Sequence, residues 1–148
     1  MNAQETAESS AADMWAGDRA SQALGMEIVE VGPGRATLRM SVRDDMVNGH
    51  GIGHGGLTFA LADSAFAFAC NSRNEATVAS GLSVDFLAPV KRGDVLIADA
   101  VEVARTGRTG VYDIVVTNRA GARVALVRGR SARLGDRTVL PVAAEVTR

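Results

Sequence analysis

The chain has 148 residues and a formal net charge of −1, with 22% charged and 47% hydrophobic residues. This balance is typical of a single globular domain with enough apolar surface for a core, and no basic surface for nucleic acid stands out. The single cysteine, Cys70, excludes an internal disulfide and suits a reducing compartment, so we expect a cytoplasmic protein.

The N-terminal part of the chain predicts a flexible segment and then a short helix. Residues 1–12 are small and polar, without a basic-then-apolar targeting signal, and we expect them to be flexible. Residues 13–24 have apolar side chains at helical spacing, with Asp13 as a candidate N-cap and Gly25 as the stop. The expected domain covers residues 13–135, and a tail without clear pattern follows at 136–148.

Alternating apolar and polar residues predict a β-hairpin and, later in the chain, four long strands. The hairpin pairs residues 26–31 with residues 35–42 around a Gly-Pro-Gly turn. The later strands are expected at residues 77–87, 94–105, 108–118 and 123–134. Their even spacing, with glycine-containing turns, favours an antiparallel meander.

Between the hairpin and these strands, residues 55–71 predict a long helix whose only charged side chain is Asp63. A helix that is apolar on nearly all sides must be buried. The expected fold class is therefore α+β, with a strongly curved antiparallel sheet wrapped around a central helix. The apolar run at residues 57–70 is too short for a membrane span. The flank that the sheet leaves uncovered is rich in Ala and Phe, so we expect a second copy of the chain to bury it.

Asp63 is the first candidate for chemistry. An ionised carboxylate inside an apolar helix costs several kcal/mol unless it is paired or solvated, and no Lys or Arg lies three or four residues away on either side. One interpretation is a general base or nucleophile with a shifted pKa. The alternative interpretation is a carboxylate that is solvated at the edge of the core, or one that is hydrogen-bonded to a backbone amide.

The loop that leads into this helix holds the second set of candidates. His54, Gly55 and Gly56 begin the helix, where free N–H groups and the positive end of the helix dipole can polarise a carbonyl. The alternative is a backbone that needs glycine for conformation and close packing. Asn48 could hydrogen-bond a carboxylate or a water, and His54 could contact a substrate or simply cap the helix. His50 has the weaker claim.

The spacing of Gly55 and Asp63 predicts a site shared by two chains. They are eight residues apart in the sequence, which is about 12 Å along a helix axis. They cannot easily serve the same reacting carbon within one subunit. Two such helices packed antiparallel across a two-fold axis would bring Gly55 of one chain near Asp63 of the other.

Other polar residues give weaker indications, and several motif classes are missing from the sequence. The hydroxyl of Ser80 faces either a pocket or solvent, and Arg108 either holds a nucleotide phosphate or is ordinary surface charge. The sequence contains no phosphate-binding loop, no dinucleotide fingerprint, no nucleophile elbow before Ser64 and no zinc-ligand spacing. No cofactor or metal is expected.

Several segments together carry a resemblance to a known family. NGHGIGHGGLTFALADSAFAFACNS, followed by VASGLSVDFLAPVKRGD, TGRTGVYDIVV and VALVRGRSARLG, resembles the hotdog-fold acyl-CoA thioesterases of the phenylacetic-acid-degradation (PaaI-type) group. The resemblance covers roughly residues 24–135, and the segments match in order.

The resemblance implies metal-free hydrolysis of aryl-acyl or medium-chain acyl-CoA thioesters by a homodimer that pairs into a homotetramer. By position, it implies that Asp63 is the general base or nucleophile and that Gly55, with Gly56 beside it, offers a backbone N–H to the thioester carbonyl from the opposite subunit. Asn48 and His54 match the polar residues that orient water and substrate. Some relatives place a serine on the following strand, which falls here at Ala79 or Ser80.

Two other functions remain open from the sequence. A non-catalytic acyl-CoA-binding or regulatory hotdog module would keep the groove and lack turnover, but it has little use for an acid such as Asp63 in an apolar helix. A hotdog dehydratase or hydratase would want a His–acid pair at the active helix, whereas both histidines precede it. A panel of CoA thioesters with a free-thiol readout separates the three.

Overall fold

The computed structural model describes residues 1–142, in which six β-strands and three α-helices account for most of the chain. The helices are α1 (Ala3–Gly17), α2 (Arg19–Ala23) and α3 (Gly55–Cys70). The strands are β1 (Glu27–Gly32), β2 (Arg35–Ser41), β3 (Thr77–Phe86), β4 (Val95–Thr106), β5 (Thr109–Thr117) and β6 (Arg123–Arg133). They form one antiparallel sheet in the order β1-β2-β4-β5-β6-β3, curved around α3. The predicted fold class is confirmed.

The central helix α3 is buried by its own apolar side chains. Leu61 is 0% exposed, and Phe66 and Phe68 are each 1% exposed; burying a side chain of this size stabilises the fold by about 1.5–3 kcal/mol. The Phe66 ring packs edge-on against Tyr112 of β5, with the ring centroids 5.4 Å apart. It also lies over Gly129 of β6, where a β-carbon would come within 2.9 Å of the ring, so the close contact of helix and sheet requires glycine there. None of the helices described is long and apolar enough to cross a membrane.

The predicted meander is correct for β4, β5 and β6 and wrong for β3. That strand pairs with β6, from Thr77 opposite Arg133 to Phe86 opposite Ala125, and so forms the far edge of the sheet. The reason is that β2 already occupies the free side of β4, which leaves β6 as the partner for β3. Alternation of apolar and polar residues defines which face of a strand is buried but carries no information about which strand lies beside it.

The N-terminal segment differs from the prediction, because the chain is helical from Ala3 rather than flexible to residue 12. Asn2 caps α1, and its side-chain oxygen accepts a hydrogen bond from the Glu5 N–H at 2.8 Å. Ala7 and Ala11, which are 0% and 4% exposed, pack on the core at helical spacing. The prediction of Asp13 as an N-cap is therefore wrong, since this residue lies inside α1.

The helix predicted at residues 13–24 is divided in the structure, because α1 ends at Gly17 and a second short helix, α2, follows it. The helix α2 covers part of α3. Asp18 caps it by accepting a hydrogen bond from the Ser21 N–H at 3.0 Å. The ring centroids of Trp15 and Phe68 are 6.3 Å apart, so the end of α1 also packs against α3. The chain's own N-terminal helices thus cover part of the flank for which the sequence predicted only a second copy. Gly25, with φ of +69°, ends this region as predicted.

The beginning of the predicted tail is attached to the fold by backbone hydrogen bonds. The Arg137 carbonyl accepts from the Ala76 N–H at 3.0 Å, and the Leu140 N–H donates to the Asn74 side chain at 2.8 Å. Residues 143–148 of this tail lie outside the described residues. The domain bounds at 13–135 remain a prediction.

Candidate active site

The N-terminus of α3 is capped by His54, whose imidazole Nδ1 accepts a hydrogen bond from the Gly56 N–H at 2.9 Å. The His54 carbonyl accepts from the Leu57 N–H at 3.0 Å and begins the helical hydrogen bonds. Among residues 1–142, the N–H of Gly55 has no acceptor. Because the dipole of α3 adds partial positive charge at this end, the Gly55 N–H is the one amide of the first turn that is ready for a carbonyl or oxyanion.

The loop before α3 is held in shape by the side chain of Asn48. Its Oδ1 accepts hydrogen bonds from the His50 N–H at 2.9 Å and the Ile52 N–H at 3.2 Å. Within the described part of the chain, the Asn48 Nδ2 group has no acceptor, so it can donate to a ligand. The side chain of His50 is exposed, which agrees with its weaker claim.

Asn48 and Gly55 line one cavity of about 380 Å³. Phe86 and Pro89, from the end of β3 and the segment after it, also line this cavity, as does Thr58 of α3. The lining is largely apolar, and Asn48, Gly55 and Thr58 bring polar groups to it near the helix start. The cavity therefore suits an apolar group that carries one hydrogen-bond acceptor.

Asp63 lies in a different cavity, of about 260 Å³, with which the first shares no lining residue. The carboxylate is half-buried and has no hydrogen-bond or ion-pair partner among residues 1–142. Burial raises the pKa of this carboxyl above its ordinary value, and the nearby charge of Asp18 raises it further. An acid with a raised pKa is a stronger base once it is ionised, and it is placed to take a proton. The backbone-amide interpretation of Asp63 has no support in this geometry.

Three polar residues beside Asp63 were not singled out from the sequence. The Asp18 carboxylate accepts the hydroxyl of Ser21 at 2.7 Å, and the hydroxyl oxygens of Ser21 and Ser64 lie 2.8 Å apart. All three line the cavity of Asp63. The N-cap signal of Asp18, just after Gly17, could have located α2, but no sequence signal places α2 against α3.

The remaining candidates lie apart from both cavities or have their polar groups engaged. The N–H of Gly56 is engaged by His54. Ser80 is exposed at the bulge of β3 and donates to the Arg130 carbonyl at 3.2 Å. Arg108 is exposed in the β4–β5 turn, in a small cleft with Cys70 at the opposite end of α3. Neither Ser80 nor Arg108 lines the cavity of Gly55 or that of Asp63.

The described residues offer no metal site in these cavities, since no three His, Cys, Asp or Glu side chains of residues 1–142 lie together as ligands. What the chain presents is a lone carboxylate with a raised pKa at the middle of α3 and an unpaired amide at its start. The carboxylate can accept a proton, and the amide can donate a hydrogen bond to an oxyanion. Acyl transfer to water uses these two kinds of group.

The sequence of the chain is similar to those of known thioesterases. Residues 50–125 match the family model described as the thioesterase superfamily. The chain is 46% identical over 122 residues to acyl-coenzyme A thioesterase PaaI of Escherichia coli (strain K12), which covers 82% of this chain and 87% of that protein.

Solved structures give the same result. The structure of the E. coli PaaI protein from the phenylacetic acid degradation operon superposes with a TM-score of 0.89 at 43% identity, covering 90% of this chain and 97% of that one. Smu.793 from Streptococcus mutans UA159, solved bound to acetyl CoA, has a TM-score of 0.73 at 28% identity, covering 76% of this chain and 91% of that one. The chain belongs to the hotdog-fold thioesterase superfamily and, within it, to the PaaI-type acyl-CoA thioesterases.

Proposed function

We propose that this thioesterase hydrolyses aryl-acyl-CoA (phenylacetyl- or hydroxyphenylacetyl-like) or medium-chain acyl-CoA thioesters to the free acid and CoA, in sites that two copies of the chain build together. The observation that carries the proposal is the division of the two reactive groups. The lone carboxylate of Asp63 and the unpaired amide of Gly55 line separate cavities of one chain. Each cavity of one chain thus contains one of the two reactive groups and lacks the other.

The acyl class rests on the lining of the Asp63 cavity and on the relatives. Leu24, Met26 and Ala60 give that cavity an apolar wall, which suits an aryl or alkyl group better than an acetyl group. The E. coli relative is named an acyl-coenzyme A thioesterase, and its structure is that of a protein from the phenylacetic acid degradation operon. The S. mutans relative was solved with acetyl CoA, which supports binding of the CoA moiety by this fold.

In the proposed reaction, Asp63 removes a proton from a water as the water oxygen bonds to the thioester carbonyl carbon. The carbonyl oxygen becomes an oxyanion, which accepts a hydrogen bond from the Gly55 N–H of the second copy. Asn48 and His54, beside Gly55, orient the substrate. Collapse of the tetrahedral intermediate breaks the C–S bond, and the departing sulfur takes the proton from Asp63, which gives the CoA thiol, the free acid and the Asp63 carboxylate. General-base help contributes about 10²–10⁴-fold to the rate, and one oxyanion donor contributes about 10²–10³-fold.

Two observations support the two-copy arrangement: the distance from Gly55 to Asp63 along α3, and the exposed apolar residues at the edge of the sheet. The rise of α3 from Gly55 to Asp63 is about 12 Å at 1.5 Å per residue, too long for both groups to reach one carbonyl. Val78, Phe86 and Leu87, on and beside the edge strand β3, are 45–55% exposed. An apolar, unpaired strand edge is a surface on which a second copy can pair. Pairing of such dimers into a tetramer, and a cytoplasmic location, remain predictions.

A panel of CoA thioesters with a free-thiol readout tests the function directly. We expect phenylacetyl-, hydroxyphenylacetyl- or medium-chain acyl-CoA to have a higher kcat/KM than acetyl-CoA. We also expect Asp63→Asn to lower kcat at least a hundredfold while the variant stays folded, as about 10²-fold or more is the usual contribution of a general base. Preference for acetyl-CoA would refute the acyl class, and equal turnover by Asp63→Asn would refute the mechanism.

A further inference from the structure

Beside Asp63, a chain of two hydrogen bonds has a direction that the chemistry of its groups determines. The Ser21 hydroxyl donates to the Asp18 carboxylate at 2.7 Å, because an ionised carboxylate only accepts. Ser21 has one hydroxyl proton, so it cannot also donate to Ser64. The 2.8 Å contact between the two hydroxyls is therefore donated by Ser64. Its proton points towards Ser21, which in turn donates to Asp18.

This direction leaves the Ser64 oxygen as an acceptor. A hydroxyl has one proton and two lone pairs, and no other hydrogen bond is made by the Ser64 side chain within residues 1–142. The same cavity is lined by Asp63, which also has no partner among these residues. Two adjacent positions on one helix thus offer two acceptors and no donor to whatever enters the cavity.

A water molecule is the ligand that two acceptors fit. It can donate one proton to the Asp63 carboxylate and the other to the Ser64 oxygen, and its own lone pair then points away from both. A water held by only one acceptor can rotate about that hydrogen bond, so its attacking lone pair is not fixed. Fixing the orientation of a reacting group removes rotational freedom before the transition state is reached.

We propose that Ser64 binds the nucleophilic water together with Asp63, and that Ser21 and Asp18 are positioning residues that hold the Ser64 hydroxyl as an acceptor. The proposal rests on the proposed function, in which Asp63 is the general base. As the reaction proceeds, one water proton moves to Asp63 and the other stays on the oxygen that bonds to the carbonyl carbon. Ser64 exchanges no proton and forms no covalent bond.

A purely structural role makes a different prediction. In that case the Ser21–Ser64 hydrogen bond only attaches α2 to α3, and losing it would lower the melting temperature without changing kcat. The tests therefore measure kcat, KM and melting temperature for each variant. Ser41→Ala is the matched control, because this serine is exposed on β2, away from both cavities.

For Ser64→Ala we expect kcat with phenylacetyl-CoA to fall roughly tenfold, which corresponds to about 1.4 kcal/mol, the usual size of one hydrogen bond. KM should stay unchanged, because the water and not the substrate loses its contact. Ser64→Thr keeps a hydroxyl and should restore most of kcat. In Ser21→Ala, the freed Ser64 proton can turn towards Asp63 and compete for its lone pairs, so kcat should fall several-fold.

The outcomes separate this proposal from the function on which it rests. Full turnover by Asp63→Asn overturns both. Loss of turnover in Asp63→Asn, with a kcat for Ser64→Ala equal to that of Ser41→Ala, overturns the role of Ser64 alone. A lower melting temperature with unchanged kcat in Ser64→Ala and Ser21→Ala identifies a structural attachment and also overturns it. A lower kcat at constant KM, restored by threonine, supports it.

Discussion

The first residue of α3, Gly55, lies close against the aromatic ring of Phe86. A β-carbon on Gly55 would lie 3.1 Å from Cζ of Phe86, a distance at which the ring must shift. Phe86 is at the end of the edge strand β3 and is 55% exposed, so the ring is able to shift. Both residues line the cavity of about 380 Å³, and the absence of a side chain at Gly55 leaves the space beside the ring free.

Replacing Gly55 with proline should remove the oxyanion donor without removing the helix. The first position of a helix tolerates proline, because its N–H has no helical partner, and His54 before it already has the extended backbone (φ −62°, ψ 125°) that proline requires of its neighbour. We expect kcat to fall about 10²–10³-fold with little change in the circular dichroism spectrum.

Gly55→Ala is the control for this change. It keeps the N–H but places a β-carbon against the same ring. We expect Gly55→Ala to retain far more activity than Gly55→Pro in the free-thiol assay. If the two variants lose kcat equally, the space beside Phe86 and not the donated hydrogen bond controls the reaction.

A single substitution can distinguish the role of the Asn48 Oδ1 atom in the loop from the role of its Nδ2 group as a donor to the substrate. Asn48→Asp keeps an oxygen that accepts from the His50 and Ile52 N–H groups, so the loop should stay in place. It replaces the free Nδ2–H donor with a second, negatively charged acceptor. We expect kcat/KM to fall by about tenfold or more, the usual effect of losing one hydrogen bond to a substrate, with an unchanged melting temperature. A lower melting temperature in proportion to the activity would indicate that Asn48 serves the loop alone.

His54 is a helix cap in this structure, and its substitutions should show whether it is more. His54→Asn supplies another side chain that is favourable at this position, whereas His54→Ala removes the cap at a cost of about 0.5–2 kcal/mol in the free energy of unfolding. We expect His54→Asn to keep stability and His54→Ala to lose it in urea titrations, while both lower kcat/KM in the thiol assay because the imidazole that orients the substrate is gone. Unchanged kcat/KM in a stable His54→Asn would show that His54 only caps the helix. A hundredfold lower kcat for a fully stable His54→Asn would show that the imidazole takes part in the reaction.

Most of the fold followed from patterns that are local in the sequence. The helix α3 and all six strands lie within about two residues of their predicted bounds, because a long apolar run and strict alternation each fit one backbone geometry. The position of β3 beside β6 did not follow, because pairing depends on which strand edge remains free. The part of α1 before residue 13 was missed because its buried side chains are Ala7, Ser10 and Ala11, which are too small to give an apolar stripe.

The candidate site was predictable to a similar degree. Asp63 and Gly55 were accessible from the sequence because a charge in an apolar helix and paired glycines at a helix start conflict with local preference. Asp18 and Ser21 were not, because their relation to Asp63 arises only when α2 packs beside α3. Contacts between elements distant in sequence carry no periodic signal, and the neighbours of Asp63 are contacts of this kind.

The raised pKa of Asp63 predicts a stability change of defined sign. Because the charged carboxylate is less favourable in the folded state, stability falls as the pH rises from the ordinary value of 3.8 through the raised folded-state pKa, and it is constant above that. Asp63→Asn, which is never charged, should therefore be more stable than the wild type at pH 7. The difference should shrink as the pH falls through this window, in urea unfolding at matched protein concentration.

Asp113 provides a control with the opposite sign. The hydrogen bonds from Arg128, at 2.7 and 2.9 Å, hold the pKa of its carboxyl below the ordinary value. Its ionised form thus stabilises the fold above the ordinary value of 3.8, and this contribution is lost as the pH falls through the lowered pKa. Asp113→Asn should be less stable than the wild type at pH 7, if only slightly, because the pair is exposed. A loss of stability in Asp63→Asn at pH 7 would contradict the burial argument.

Mixing two inactive variants tests whether one site draws on two chains. Asp63→Asn lacks the base and Gly55→Pro lacks the donor, so each homodimer should be inactive. In a mixed dimer, one site combines both defects and the other has an intact Asp63 opposite an intact Gly55. After subunit exchange, half of the dimers formed from an equal mixture are mixed and each has one working site, so we expect about one quarter of the wild-type activity per chain, as random pairing of closed dimers requires. Exchange is followed with a different affinity tag on each variant. If tagged heterodimers form and activity stays at the level of the separate variants, then Gly55 and Asp63 serve the same chain, and α3 must bend or the substrate must span its length.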